Sequence, residues 1–253
     1  MPLLWELAKR DLWERYSGSS LGALWSIIYP LVTIFIYLIV FANLMGSKLP
    51  GSSDMYSYGI YLIAGVIPWT AFSNTVIRCS SVYLDKKHII SKIHVDLNCF
   101  PLFLVIAETM VFTITFFIFF AFLLITNYSF TPLMLMIPII FVIQQLFAYA
   151  LGSILGILII FIRDMKEAIN VIFQFWFWLT PIVYIMDILP NFMKFFQSIN
   201  PALWFIEGYQ KILCYQVVPN YLNLLFLCLI TGFLLVSKIK LMQLLERDIR
   251  DCI

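Results

Sequence analysis

The sequence predicts an all-α integral membrane protein with six transmembrane helices, an N-terminal amphipathic helix on the membrane surface and short re-entrant gate helices on the outward side. Three observations carry that fold class. Of the 253 residues, 62% are hydrophobic and 12% charged, with mean hydropathy +0.96, more apolar surface than a soluble domain needs. The charges gather in short connectors between apolar runs long enough to cross a bilayer. In the stretch 170–204, NVIFQFWFWLTPIVYIMDILPNFMKFFQSINPALW, an aromatic run meets a proline, and Asp187, Pro190, Lys194, Asn200 and Pro201 cut the remainder into pieces too short to span. Irregular backbone at membrane depth persists only where protein buries it or where it lines a watery path, so this stretch is the candidate gate.

The elements follow in order. Leu4, Trp5, Ala8, Leu12 and Tyr16 recur at helical spacing opposite a Glu6, Arg10 and Glu14 ladder, which predicts an amphipathic surface helix within 1–20. Those charges, with Lys9, Asp11 and Arg15, occupy the place where a signal peptide needs its apolar run. The first span covers 21–45, and Trp25, Tyr29, Thr33 and Tyr37 form one stripe along it. Two readings stay open for that stripe, anchoring at the interface or lining an inner path. The second span, 58–83, contains Gly65 and Pro68, which predict a bend near its middle. A connector, 85–96, then places Asp85, Lys86, Lys87, His88 and Lys92 around apolar Ile89, Ile90 and Ile93. It is either a solvated loop or a short amphipathic helix that docks on a soluble partner.

The third span, 100–125, carries Glu108. Counted from the connector at 1.5 Å per residue, Glu108 and Arg78 both lie roughly 10 to 12 Å deep, so antiparallel neighbours bring them together as an ion pair; proton transfer is the alternative role. The fourth span, 132–162, contains Gln144, Gln145 and the small-residue pair Gly152 and Gly156, a close-packing face. Arg163, Asp164, Lys166 and Glu167 turn the chain into the fifth span, 170–187, where Asn170 and Gln174 share a face with Phe173, Phe177 and Tyr184. The last span is 221–237, followed by a charged tail from Lys238 to Asp251. Twelve basic residues, among them Arg15, Lys86, Lys166 and Lys238, fall on one side, against Lys48, Lys194 and Lys211 on the other. That bias places both termini in the cytoplasm.

Much chemistry is excluded. A formal net charge of +2 argues neither for nucleic acid nor for an acidic ligand as a partner, and no nucleic acid is expected. The five cysteines show no CxxC pairing and only His88 and His94 are histidines, so no metal site is expected. No GxxxxGK[ST] phosphate loop, HExxH or GxSxG occurs, so active transport would draw on an ion gradient or a separate ATPase.

The motifs YSGSSLGALW (16–25) with YPL (29–31), GVIPWTAFSN (65–74), RD (163–164), TPIVY (180–184) and INPA (199–202) together resemble the permease subunits of ABC transporters that export O-antigen, capsule or teichoic-acid polysaccharides. The resemblance runs in order through the whole chain, read as a single transmembrane domain over 1–253. It implies a homodimeric channel in a bacterial inner membrane, two copies of a cytoplasmic ATPase that holds ATP and Mg while this chain holds no cofactor, and a lipid-linked polysaccharide as cargo. It further implies an interface helix carrying Trp5, Arg10, Trp13 and Tyr16, and a coupling helix over 85–96 carrying Asp85, Lys86, Lys87, His88, Ile89 and Lys92. A re-entrant gate over 188–217 would use Pro190, Phe192, Phe196, Pro201 and Trp204. The sugar-lining rings would be Trp25, Tyr29, Tyr37, Phe173, Trp176, Phe177 and Tyr184, whose bland alternative is packing against lipid. The family often carries Phe-Pro after the coupling helix, where this chain has Val95-Asp96. Two other functions compete: a small-molecule or lipid exporter of the same superfamily, and a membrane enzyme on lipid-linked sugars with Glu108 or His88 as acid or base.

Overall fold

A computed structural model of the chain describes residues 2–15, 17–40, 56–92, 96–126, 128–186 and 189–252, and every described element is helical. In chain order they are α1 (Pro2–Arg15), α2 (Trp25–Leu38), α3 (Ser57–Asp85), α4 (Lys87–Ile90), α5 (Cys99–Ile125), α6 (Ile137–Phe161), α7 (Met165–Leu179), α8 (Asn191–Ser198), α9 (Pro201–Gln210) and α10 (Tyr221–Cys252). A 3-10 turn at Pro132–Met136 leads into α6, and a π-helical turn at Lys211–Tyr215 extends α9. Four helices, α3, α5, α6 with its leading turn, and α10, are long and apolar enough to cross a membrane. Of the other two expected spans, α2 is described over 14 residues and the expected end of its span lies outside the described residues, whereas α7 has 15 residues, a rise of roughly 22 Å against a hydrocarbon core of about 30 Å.

The helix α3 is the central post. It packs along α5, α6 and α9, and its face from Ile60 to Tyr83 is almost wholly buried. Two glycines set its distance from α6. A Cβ on Gly152 would stand 2.7 Å from Cys79 Cβ and 3.0 Å from the Val76 carbonyl, and one on Gly156 would stand 2.9 Å from the Cys79 carbonyl. The small-residue face of 152–156 therefore packs α6 backbone directly against α3. Buried amides add directional bonds: Gln144 donates to the Pro68 carbonyl at 2.9 Å and accepts from the Tyr209 hydroxyl at 3.0 Å, while the Gln145 amide lies 3.0 Å from the Thr75 hydroxyl, which donates to the Ala71 carbonyl at 2.7 Å.

Two apolar clusters mark the two ends of the bundle. One gathers Ala8 of α1, Tyr83 of α3, Ile90 of α4, Phe100 of α5, Ile157 of α6 and Ile249 of α10, so the N-terminal helix and the chain's last helical turns share one end. The larger cluster runs through the middle to the opposite end, where α8, α9 and the π turn sit. There Tyr128 donates to the Leu213 carbonyl and Gln216 bonds Ser129 at 2.8 Å.

Three expectations are corrected. The fifth helix ends at Leu179, eight residues earlier than the expected 187, because Pro181 removes an N–H and forces Thr180 into extended backbone at φ −84°, ψ 134°. It also begins earlier, at Met165, directly after the Arg163 and Asp164 turn. The expected charged tail is no tail: α10 runs unbroken from Tyr221 to Cys252, burying Lys238, Met242 and Ile249 along one side. Tyr16, the end of the expected first span at 41–45, Ile93, His94 and Val95 of the connector, and Asp187 and Ile188 lie outside the described residues.

Candidate functional site

A cavity of about 590 Å³ opens between α2, α3, α5 and α7. The α2 residues Tyr29, Pro30, Thr33 and Tyr37 form one wall, so their four-residue spacing does put them along one face. Val66, Trp69, Thr70, Ser73 and Asn74 of α3 face them, with Thr115 of α5 and Phe177 of α7 closing the sides. The hydroxyls of Thr33 and Thr70 donate to carbonyls four residues back at 2.9 and 2.8 Å, and Ser73 donates to Thr70. Their donor hydrogens are thus spent inside their own helices, and the oxygen lone pairs that remain are acceptors. Aromatic faces beside hydroxyl acceptors suit a ligand rich in O–H and C–H groups.

The floor of this cavity is charged. Arg78 of α3 donates to Glu108 of α5 at 2.6 Å, and Arg15, the last residue of α1, reaches the same carboxylate oxygen at 2.5 Å. Arg78 also grips both oxygens of Asp11 at 2.6 and 2.7 Å, and Arg15 lies 3.8 Å from Asp11. The Glu108 side chain is 1% exposed and that of Asp11 11%, so two guanidiniums and two carboxylates form a closed, neutral network joining three helices. Sequence reasoning named Arg78 and Glu108 but missed Asp11 and Arg15. The signal lay in α1: Asp11 and Arg15 are four apart on its apolar side, together with Ala8 and Leu12, where charges need partners.

The seven candidate path aromatics disperse. Tyr29, Tyr37 and Phe177 line the cavity. Phe173 is 5% exposed in a ring cluster with Trp69 and Phe72, whose ring meets Phe147, Phe173, Trp176 and Phe205 from three other helices at 5.1 to 5.7 Å. Trp25 donates to Ser19 at 2.8 Å and pins the turn before α2. Tyr184 lies beyond the end of α7, and its hydroxyl donates to the carbonyls of Trp178 and Leu179 at 3.0 and 2.8 Å, tying the turn back onto the helix.

Trp176 instead faces a second cavity of about 510 Å³, shared with Leu179, Phe192, Met193, Phe196, Gln197, Asn200 and Pro201. Asn200 organises this end. It caps α9 by accepting from Ala202 N at 3.1 Å, accepts from the Trp176 indole at 2.8 Å and donates to Thr180 at 3.0 Å. Trp204 donates to the Ser198 carbonyl at 2.9 Å and is buried, whereas Phe192 and Phe196 stand 66% and 69% exposed. The candidate gate therefore divides into an exposed amphipathic α8, entered through the exposed Pro190, and a core-packed α9 that starts at Pro201. The loop ahead of it is clamped to α3 through Tyr58, which donates to the Val183 carbonyl, and Tyr61, which bonds the carbonyls of Pro181 and Tyr184 at 3.3 and 3.2 Å.

At the opposite end, the connector helix α4 turns Ile90 into the apolar cluster, with Ile89 half-buried beside it. Lys87, His88 and Lys92 stay exposed, so the charged face is the one offered outward. Lys86 reaches Glu14 of α1 at 3.5 Å, and Asp85 accepts from Lys166 of α7 at 3.2 Å, linking the connector to the helices on both sides. On α1, Trp5 and Trp13 stand 46% and 69% exposed and Arg10 pairs with Glu14 at 2.6 Å, while Leu4, Leu7, Ala8 and Leu12 dock on the bundle. No group of three or more His, Cys, Asp or Glu residues with metal-binding geometry occurs among the described residues.

Comparison with known proteins places this architecture. The family model described as ABC-2 type transporter matches residues 2–214. A Klebsiella pneumoniae protein named O-antigen export system permease protein RfbA is 29% identical over 237 residues, covering 92% of this chain and 87% of that protein. A second protein of that name from the same species is 26% identical, covering 94% and 92%. One from Myxococcus xanthus is 24% identical, covering 92% and 88%.

Proposed function

Since the chain belongs to the ABC-2 type transporter family, we propose that it is the channel-forming permease of an exporter that moves a lipid-linked, O-antigen-like polysaccharide across the bacterial inner membrane. Membership makes it a multi-pass membrane protein, a permease rather than an enzyme, and one that works with a separate ATPase subunit. We read two copies as forming the path and two cytoplasmic ATPase subunits as binding ATP and Mg, with both termini of this chain in the cytoplasm. The observation that carries the cargo assignment is the cavity wall that pairs Tyr29, Tyr37 and Phe177 with the hydroxyl oxygens of Thr33, Thr70 and Ser73. Aromatic faces meet the C–H faces of sugar rings and hydroxyl acceptors meet their O–H groups. Several weak contacts let a polymer slide where one tight site would hold it. The names of the relatives point the same way.

Nucleotide-driven motion enters through the outward face of α4 and passes to α1 and α7 across the Lys86–Glu14 and Lys166–Asp85 pairs. The test is genetic and biochemical. Removing the chain from its host should stop surface polysaccharide appearing while lipid-linked polymer accumulates inside. Restoring it with Tyr37→Ala or Phe177→Ala should recover the ATPase complex but cut export severalfold. Normal surface polysaccharide in the absence of the chain sinks the assignment. A second reading, export of a small amphipathic molecule, is favoured by one feature: Phe177 and Trp176, adjacent on α7, line two different cavities rather than one row of rings. Competition of a small dye, but not of a glycan, for vesicle transport would select it.

A further inference from the structure

The helix α10 buries Leu227, Thr231, Lys238, Met242 and Ile249 along one stripe, and four of these five suit an apolar seam. Lys238 does not, yet it is 3% exposed. Its ammonium donates to Asn98 Oδ1 and to the Tyr149 hydroxyl at 2.7 Å, and lies 4.7 Å from the centre of the Tyr149 ring. No carboxylate lies within ion-pair distance of it among the described residues. Asn98 in turn donates its backbone and side-chain N–H groups to Asp96 Oδ1 at 2.9 and 2.8 Å. A cation buried with no carboxylate in direct contact, only Asp96 acting from behind Asn98, is costly, and a methionine like Met242 one turn on would fill the same position without that cost. The cation does what methionine cannot: it ties three separate pieces of chain, α10, α6 and the exit of the 85–96 connector, at one point.

We propose that Lys238 is a positioning residue for the coupling segment, fixing the connector's exit at Asp96–Asn98 onto α6 and α10. The proposal rests on the coupling role assigned above to the connector. With the exit anchored, a push on α4 carries into α5 and α10 instead of flexing the connector. The entrance is held separately by the exposed pairs Lys86–Glu14 and Asp85–Lys166, so Lys238 is the buried anchor of the two ends.

The experiment uses the full chain in lipid nanodiscs, with the four cysteines that are not buried replaced by serine and spin labels at Lys92→Cys and Leu244→Cys. Wild type should give a narrow distance distribution. Lys238→Met and Asn98→Ala should each at least double its width with helicity retained, and the double variant should be no broader than either single one. A further arm purifies the same variants with the partner ATPase, where ATP hydrolysis should persist while the nucleotide-dependent shift in label distance is lost. Unchanged widths in both single variants overturn the proposal. So does an Lys238→Met chain that unfolds while Asn98→Ala keeps the native width, because Lys238 then serves stability alone. If no ATPase joins the wild-type chain, the coupling reading fails, yet the widths still decide whether the anchor exists.

Discussion

At the scale of single residues, Glu108 shows how a burial argument finds a pair and geometry enlarges it. Depth counting brings Arg78 and Glu108 together, because 1.5 Å per residue is fixed by the helix itself. The participation of Asp11 and Arg15 is settled by where α1 docks, which no spacing within one helix reveals. The consequence is testable. Glu108→Gln leaves two guanidiniums facing a neutral amide, and thermal unfolding of the purified protein should show a loss of about 3 kcal/mol. Swapping the pair, Arg78→Glu with Glu108→Arg, should not restore stability, since the new glutamate faces Asp11 and the new arginine faces Arg15. Full recovery by the swap would show that the pair acts alone. A smaller effect belongs to Glu14, whose carboxyl is held below its ordinary value of 4.5 mainly by the hydrogen bond from Arg10, with Lys86 helping against slight burial. Its contribution is present above that ordinary value and is lost as pH falls through the lowered one. Because the group is exposed, Glu14→Gln should cost about 0.5 kcal/mol or less at neutral pH, and the difference should vanish in acid.

At the scale of elements, the sequence marks where helices stop better than how deep they run. Pro181 and Thr180 end α7 for a local reason, the missing N–H, and Asn200 with Pro201 starts α9 for another, a side-chain cap and a preset φ. The burial of α9 and the exposure of α8 depend on the neighbours each one meets, so the single gate segment expected from the sequence divides into two elements that differ in the fold. The contact between α3 and α6 gives a sharp prediction. Gly152→Ala sets a methyl 2.7 Å from Cys79 Cβ and 3.0 Å from a backbone carbonyl that cannot rotate away, so α6 must shift, at a cost of about 1–3 kcal/mol. Gly232→Ala in α10 meets nothing within 4 Å and should be neutral or slightly stabilising. Equal melting temperatures for the two variants would contradict the close packing.

At the scale of the whole molecule, the connector helix α4 packs in the apolar cluster at one end of the bundle, and α9 packs in the cluster that reaches the other. The outward face of α4 and the core face should separate cleanly by mutation. Reversing Lys87 and Lys92 should leave the melting temperature of the chain unchanged but reduce recovery of the ATPase at least tenfold in co-purification, while Ile90→Asp should destabilise the chain itself by placing a charge in the apolar cluster. ATPase recovery that survives both reversals would move the docking face elsewhere. The sequence by itself determined the membrane class, four of the six expected spans, the connector and its charges, and the breaks at prolines, because hydropathy, helical period and the missing proline N–H act within a few residues of chain. Only the tertiary structure decided which aromatics face a cavity, that Lys238 of the expected charged tail is buried, and that Arg15 closes the charged floor. Those outcomes depend on contacts between segments far apart in the chain, where one face of a helix is chosen over another by what happens to pack against it.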